Sequence, residues 1–189
     1  MVTTDFSYEE TMEHLSLLAN ESLELWDLPA GSKARLINVS ENETFLVEAP
    51  DGFKSILRIH REDYHTETAI ACEHAWSRSL NEEGGVKTPN ILPGRNGSTI
   101  QSATSTALGQ KRYLAMFEFV EGSEPDQQDD LTGGFEELGE IAAKTHLHSI
   151  DWERPEPFER LVWDLDTVFG KEATWGNWRD GPNIGQQTR

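Results

Sequence analysis

The first thirty residues alternate polar and apolar positions with a helical period, and the next thirty with the period of strands. Ser7 followed by Glu10 has capping-box spacing, in which each side chain serves a free backbone N–H of the first turn. Tyr8, Met12, Leu15 and Ala19 then fall on one helical face. Asn20 to Ala30 is more apolar and ends in the connector Pro29-Ala30-Gly31. The segments 34–39 and 44–48 are rich in strand formers and flank the polar turn Ser40-Glu41-Asn42. Pro50-Asp51-Gly52 marks a tight turn into a third strand over 54–60, so an antiparallel meander is expected.

Farther along, the pattern predicts a helix from about Thr66 to Leu80, with Ala69, Cys72, Trp76 and Leu80 on its buried face. Thr88 to Leu92 reads as a short strand, Asn96-Gly97 as a hairpin turn, and Ser98 to Ala103 as its pairing partner. Arg112 to Val120 is the most apolar strand and runs into Glu121-Gly122. Ser123 to Asp130 is polar and acidic, as in a loop, and Phe135, Leu138, Ile141 and Ala142 mark a helix ending near His148. The last forty residues hold Trp152, Trp163, Trp175 and Trp178 among Pro, Gly and charged positions. Such aromatics bury much area once something packs on them, and we expect here the entrance to a second lobe. Three segments follow: a helical start over 1–31, an α+β body over 32–122, and a hinge, linker helix and beginning of a second lobe over 123–189. The body is expected to be a five-stranded antiparallel sheet with one helix packed across it.

Composition narrows the function. The net charge of −18 disfavours nucleic acid, whose phosphates would be repelled, and suits a cationic small molecule. No apolar run approaches the roughly 20 residues that span a bilayer, and Met1 to Asp5 lacks the basic start of a signal peptide, so no membrane partner is expected. The single cysteine, Cys72, cannot form an internal disulfide and fits a reducing cytoplasm; its place on a packing face makes it a core residue rather than a nucleophile.

A few residues stand out chemically. Arg58 lies within the third strand, and Glu73 borders the apolar stripe of the following helix, at i+4 from Ala69 and i−3 from Trp76. A carboxylate on the margin of a buried face needs a partner, and Arg58 is the natural one. Glu67 is the alternative if the helix is rotated, and equally suits the helix dipole at its N-terminal turn. His146 and His148 are two residues apart, on different helix faces, with no third ligand evident, so no metal site is expected.

The order helix, three strands, helix, two strands, connecting loop, helix resembles the N-lobe of the aminoglycoside phosphotransferase, homoserine kinase and choline kinase superfamily, which shares its architecture with protein kinases. The resemblance covers about Ala34 to His148 and, more loosely, the tail. It implies that Ser40, Glu41 and Asn42 form the turn covering the nucleotide phosphates, where homoserine kinases also carry Glu-Asn. It places Arg58 where kinases keep the lysine that contacts the α- and β-phosphates, with Glu73 as its positioning partner. Phe117-Glu118-Phe119-Val120-Glu121-Gly122 resembles the hinge, with the Glu118 carbonyl and Val120 amide on the adenine edge and Phe117 behind it. The family's catalytic loop, His-x-Asp with an Asn five residues after the Asp, does not occur: no Asn of the chain has an Asp five residues before it. Asp151-Trp152-Glu153 copies a metal-binding sequence of the family, yet it follows the linker helix directly and leads into Arg-Pro-Glu-Pro, so Asp151 is not assigned to metal.

The resemblance thus implies the N-terminal part of a kinase that transfers the γ-phosphate of ATP or GTP, with Mg²⁺, to a hydroxyl of an aminoglycoside-, homoserine- or choline-like acceptor. Without its catalytic loop the chain alone would be truncated and inactive. The alternative is a kinase-derived binding or regulatory module without catalysis, with a dimer or partner contact through its Trp-rich tail.

Overall fold

The computed structural model describes residues 6–122, 131–181 and 184. The loop expected over 123–130 lies outside them. Two compact units form, one through Phe158 and one from Glu159 onward.

The first unit opens with helix α1 (Tyr8–Ser22), and the capping box is present: the Ser7 hydroxyl accepts from Glu10 N, and Ser7 N donates to the Glu10 carboxylate at 2.8 Å. Of the expected stripe, Leu15 and Ala19 are buried and Met12 packs against the core, while Tyr8 is 66% exposed; Leu18 and Ser22 complete the buried face. The chain continues through a 3-10 turn, Leu23–Leu25, into Trp26, which is only 2% exposed. The Trp26 indole N–H donates to the Leu92 carbonyl at 3.1 Å. The apolar stretch that precedes the connector thus belongs to the core.

Strands β1 (Lys33–Val39), β2 (Asn42–Glu48) and β3 (Lys54–His60) form the expected meander. Helix α2 (Glu67–Glu82) follows, with the Thr66 hydroxyl accepting from Ala69 N at 3.0 Å. Then come β4 (Ile91–Leu92), β5 (Gln101–Ser105) and β6 (Gln110–Glu118). The sheet is antiparallel with order β1-β2-β3-β6-β4, and β5 pairs with the first half of β6. It has six strands, counting the two-residue β4.

Asn96-Gly97 does not close a hairpin. Gly94 N donates to Ser98 O at 2.9 Å, Gly97 takes φ +80°, and the Gln101 amide donates to Asn96 Oδ1 and Ser98 O at 2.8 Å each. The turn closes on a buried side chain, while β4 and β5 each pair with β6 at different heights.

One face of the sheet carries the core: Phe45 and Val47 of β2, Leu57 and Ile59 of β3, and Leu114 and Met116 of β6, closed by Leu15, Leu18, Ala19 and Trp26. Helix α3 (Thr132–Asp151) reaches α2 through its last turns. The Trp76 indole N–H donates to Ser149 Oγ at 3.0 Å, and Ser79 Oγ shares a hydrogen bond with His148 Nε2 at 2.8 Å. Trp76 is accordingly half-buried. Phe135, Leu138 and Ile141 on α3 are exposed.

Among its described residues the second unit holds one short helix, α4 (Leu165–Phe169), and a 3-10 turn, Trp178–Asp180. Trp163 and Trp175 pack ring on ring at 4.6 Å, although Trp163 stays 72% exposed. Among the described residues no helix is long and apolar enough to cross a membrane.

Phe45 touches no solvent. Phe45→Ala is expected to destabilise the protein by about 3–5 kcal/mol, whereas Tyr8→Ala should stay within about 0.5 kcal/mol. Urea unfolding midpoints distinguish this arrangement from one in which the Tyr8 face is buried.

Candidate nucleotide-binding site

Strand β3 separates its side chains by parity. Leu57 and Ile59 enter the core, so Arg58 and His60 stand on the opposite face, toward α2. There Arg58 Nη1 donates to Glu73 Oε1 at 2.8 Å, with both side chains about seven-tenths covered. The guanidinium also lies 4.8 Å from the Phe117 ring centroid, a cation–π distance. Three elements thus fix one cation: β3 carries it, α2 neutralises it and β6 supports its flat face.

The pair stands at one wall of a cleft of about 300 Å³, lined by Ile56, Arg58, Glu73, His74, Phe117 and Val120 among others. Its other wall is the end of β6 and the coil after it. Glu118 N donates to Asn90 O at 2.9 Å, and Asn90 Nδ2 donates to Glu118 Oε2 at 2.8 Å. Lys54 reaches Glu121 at 3.4 Å and lies 4.9 Å from the Phe119 ring centroid, so the coil is held on its β3 side as well.

Of the residues singled out in the sequence, Arg58, Glu73, Phe117, Glu118 and Val120 share this cleft. Ser40, Glu41 and Asn42 do not line it. They form the β1–β2 turn at the His60 end of β3, where Asn42 is the register partner of His60. Ser40 N donates to Asn42 O at 3.1 Å, Arg61 N to Asn42 Oδ1 at 3.3 Å, and Arg61 Nη1 to Glu41 Oε2 at 3.0 Å. Asp151 ends α3 in solvent and does not line the cleft. Cys72 is buried on α2, with its Sγ 3.6 Å from the Pro157 carbonyl.

An apolar slot with a backbone edge at one end and a braced guanidinium at the other fits a nucleoside with phosphates. The described residues contain no cluster of three His, Cys, Asp or Glu side chains able to hold a metal ion.

The sequence profile of the APH group, described as "Phosphotransferase enzyme family", matches residues 33–181, well over half of the chain. The chain belongs to that family. Among solved structures it is similar to a microcompartment-associated aminopropanol kinase, at 35% identity and TM-score 0.79, over 90% of this chain and 52% of that one. It shares its fold with an amicoumacin kinase solved with AMP-PNP, Ca²⁺ and Ami, at 18% identity and TM-score 0.68, over 83% of this chain and 47% of that one. The family member described here spans about half the length of each of these kinases. No curated protein sequence matches it.

Two histidines beside the pair escape a reading of the sequence. His60 is 2% exposed and neither ring nitrogen has a hydrogen-bond partner; His74 is 3% exposed, shares a 3.1 Å hydrogen bond with Thr99 Oγ1, and leaves Nε2 without one. The His74 ring meets Phe117 edge-on at 5.9 Å. Parity with Arg58 places His60 on the α2 side; for His74 the only signal is a polar residue on the apolar side of a helix. Burial, reinforced at His60 by the Arg58 charge, pushes each imidazole down to about 4 from an ordinary 6.5.

Both imidazoles therefore stay neutral in the folded state, while the unfolded chain takes up protons below pH 6.5. Their contribution is complete above pH 6.5 and is lost as pH falls toward 4, at up to about 3 kcal/mol per group. Unfolding midpoints measured between pH 7 and 4.5 should fall steeply in the natural protein. They should fall less steeply in His60→Leu and His74→Leu, a difference that separates the imidazoles from the carboxylates titrating in the same range.

Proposed function

We propose that this chain is the nucleotide-binding half of a small-molecule kinase that moves the γ-phosphate of ATP or GTP, with Mg²⁺, onto a hydroxyl. The observation that carries the reading is the Arg58–Glu73 pair laid on Phe117 at one wall of the cleft. In this reading the base sits between Ile56 and Val120, against the Glu118–Val120 backbone. Arg58 meets the α- and β-phosphates as a planar fork, and Glu73 keeps that fork aimed while the cleft is empty. The Ser40–Asn42 turn covers the phosphates with backbone N–H groups.

Phosphoryl transfer needs a group to orient the acceptor hydroxyl and ligands for the metal. These 189 residues contain no Asp followed by Asn at the family's spacing, so by themselves they are expected to bind nucleotide without turning it over. For the acceptor, an amino alcohol is the narrowest choice. It falls within the homoserine- and choline-like group, suits the net charge of −18, and agrees with 35% identity to an aminopropanol kinase.

Titration of the pure chain with Mg-ATP, followed calorimetrically, should show weak binding. Arg58→Met should weaken it by about 2 kcal/mol, roughly thirtyfold, and Glu73→Gln by about 1 kcal/mol. Equal affinity in all three proteins would remove Arg58 from the phosphate site. Phosphorylation of an amino alcohol by the pure chain would overturn the claim that it cannot turn over.

A further inference from the structure

Arg112 is 6% exposed, an unusual place for a guanidinium, which must be compensated wherever water is excluded. It lies on β6 two residues past the last rung between β3 and β6, Ile59 with Leu114, so no backbone ladder joins those strands at its level. The side chain spans that gap. Nη1 donates to the His60 carbonyl at 3.1 Å and stands 3.8 Å from Glu43 Oε2, while Nε and Nη2 donate to Gln110 Oε1 at 3.2 and 2.8 Å. Glu43 is itself 8% exposed.

Both far contacts converge on one point of the fold. Glu43 directly follows Asn42, and His60 is the register partner of Asn42, so Arg112 grips the two chain segments that root the Ser40–Asn42 turn. A lysine could supply the charge but not a fork that serves a carbonyl, a carboxamide and a carboxylate together. Arg61 ties the exposed side of the same turn through Glu41 and Asn42.

We propose that Arg112 is a positioning residue for the nucleotide phosphates: acting through Glu43 and the His60 carbonyl, it sets the height of the Ser40–Asn42 turn above the phosphate end of the cleft. The inference rests on the nucleotide reading of that cleft and adds a residue that touches no ligand. Its effect must be selective, because the base is held elsewhere, at the Glu118–Val120 backbone.

The test compares Kd for Mg-ATP with Kd for adenosine in the full chain. The readout is their ratio, the affinity gained from three phosphates. Arg112→Met alone strands Glu43 and can unfold the protein, so the main variant is Arg112→Met/Glu43→Gln, which leaves no buried charge unpaired. This variant should melt near the natural protein, bind adenosine equally well and lose about tenfold in the ratio. Arg112→Lys should lose less, in the same direction. A folded double variant that keeps the full ratio overturns the inference and leaves the nucleotide site standing. A natural chain that binds ATP no better than adenosine overturns the nucleotide reading, and this inference with it.

Discussion

Strand β3 is hydrogen-bonded on both edges, by β2 along its whole length and by β6 over five residues, and this double pairing removes its freedom to slip. A shift of one residue would turn Arg58 and His60 into the space now filled by Leu57 and Ile59, against Phe45 and Met116. An unpaired guanidinium there costs far more than the core can tolerate. The register is thus set by apolar burial, and the position of the cation beside the cleft is a by-product of it. The same alternation that builds the core under α1 delivers Arg58 to the other side of the sheet at a fixed height.

On that other side the packing is of a different kind. Helix α2 meets the sheet through Glu73 on Arg58 and His74 on Phe117, with Ala69 and Ile70 buried along the same helix, and meets α3 through hydrogen bonds at Trp76 and Ser79. Directional contacts fix the rotation of a helix more tightly than a greasy stripe does, because each has one acceptable geometry. The polar residues hold Glu73 opposite Arg58, and the apolar ones hold the helix against the sheet.

How much of this is legible in the sequence depends on how local the cause is. The capping box at Ser7 and Glu10, the meander through Lys54–His60 and the reach from Arg58 to Glu73 follow from spacing alone. The buried face of α1 follows in part: Met12, Leu15 and Ala19 lie on it, but Tyr8 at the first turn continues the same stripe in sequence and stays in solvent. Asn96-Gly97 carries the signature of a hairpin, yet the Gln101 amide and the length of β6 override it. The Arg112–Glu43 contact joins residues sixty-nine positions apart with no motif in common. Histidines at 60 and 74 are ordinary residues until the fold buries them.

The place of β6 in the sheet also has a kinetic side. Among the described residues it is the last strand and the only one paired with all of β3, β4 and β5. As the polypeptide leaves the ribosome, β1 to β3 can pair at once, but the outer edge of β3 stays bare until residue 118 has emerged, on the order of several seconds later. During that interval Ile56, Leu57 and Ile59 form an open apolar ribbon, the kind of edge that recruits strands from other nascent chains. Arg58 and Arg61 put two positive charges on this stretch, the kind of flanking charge that discourages such additions.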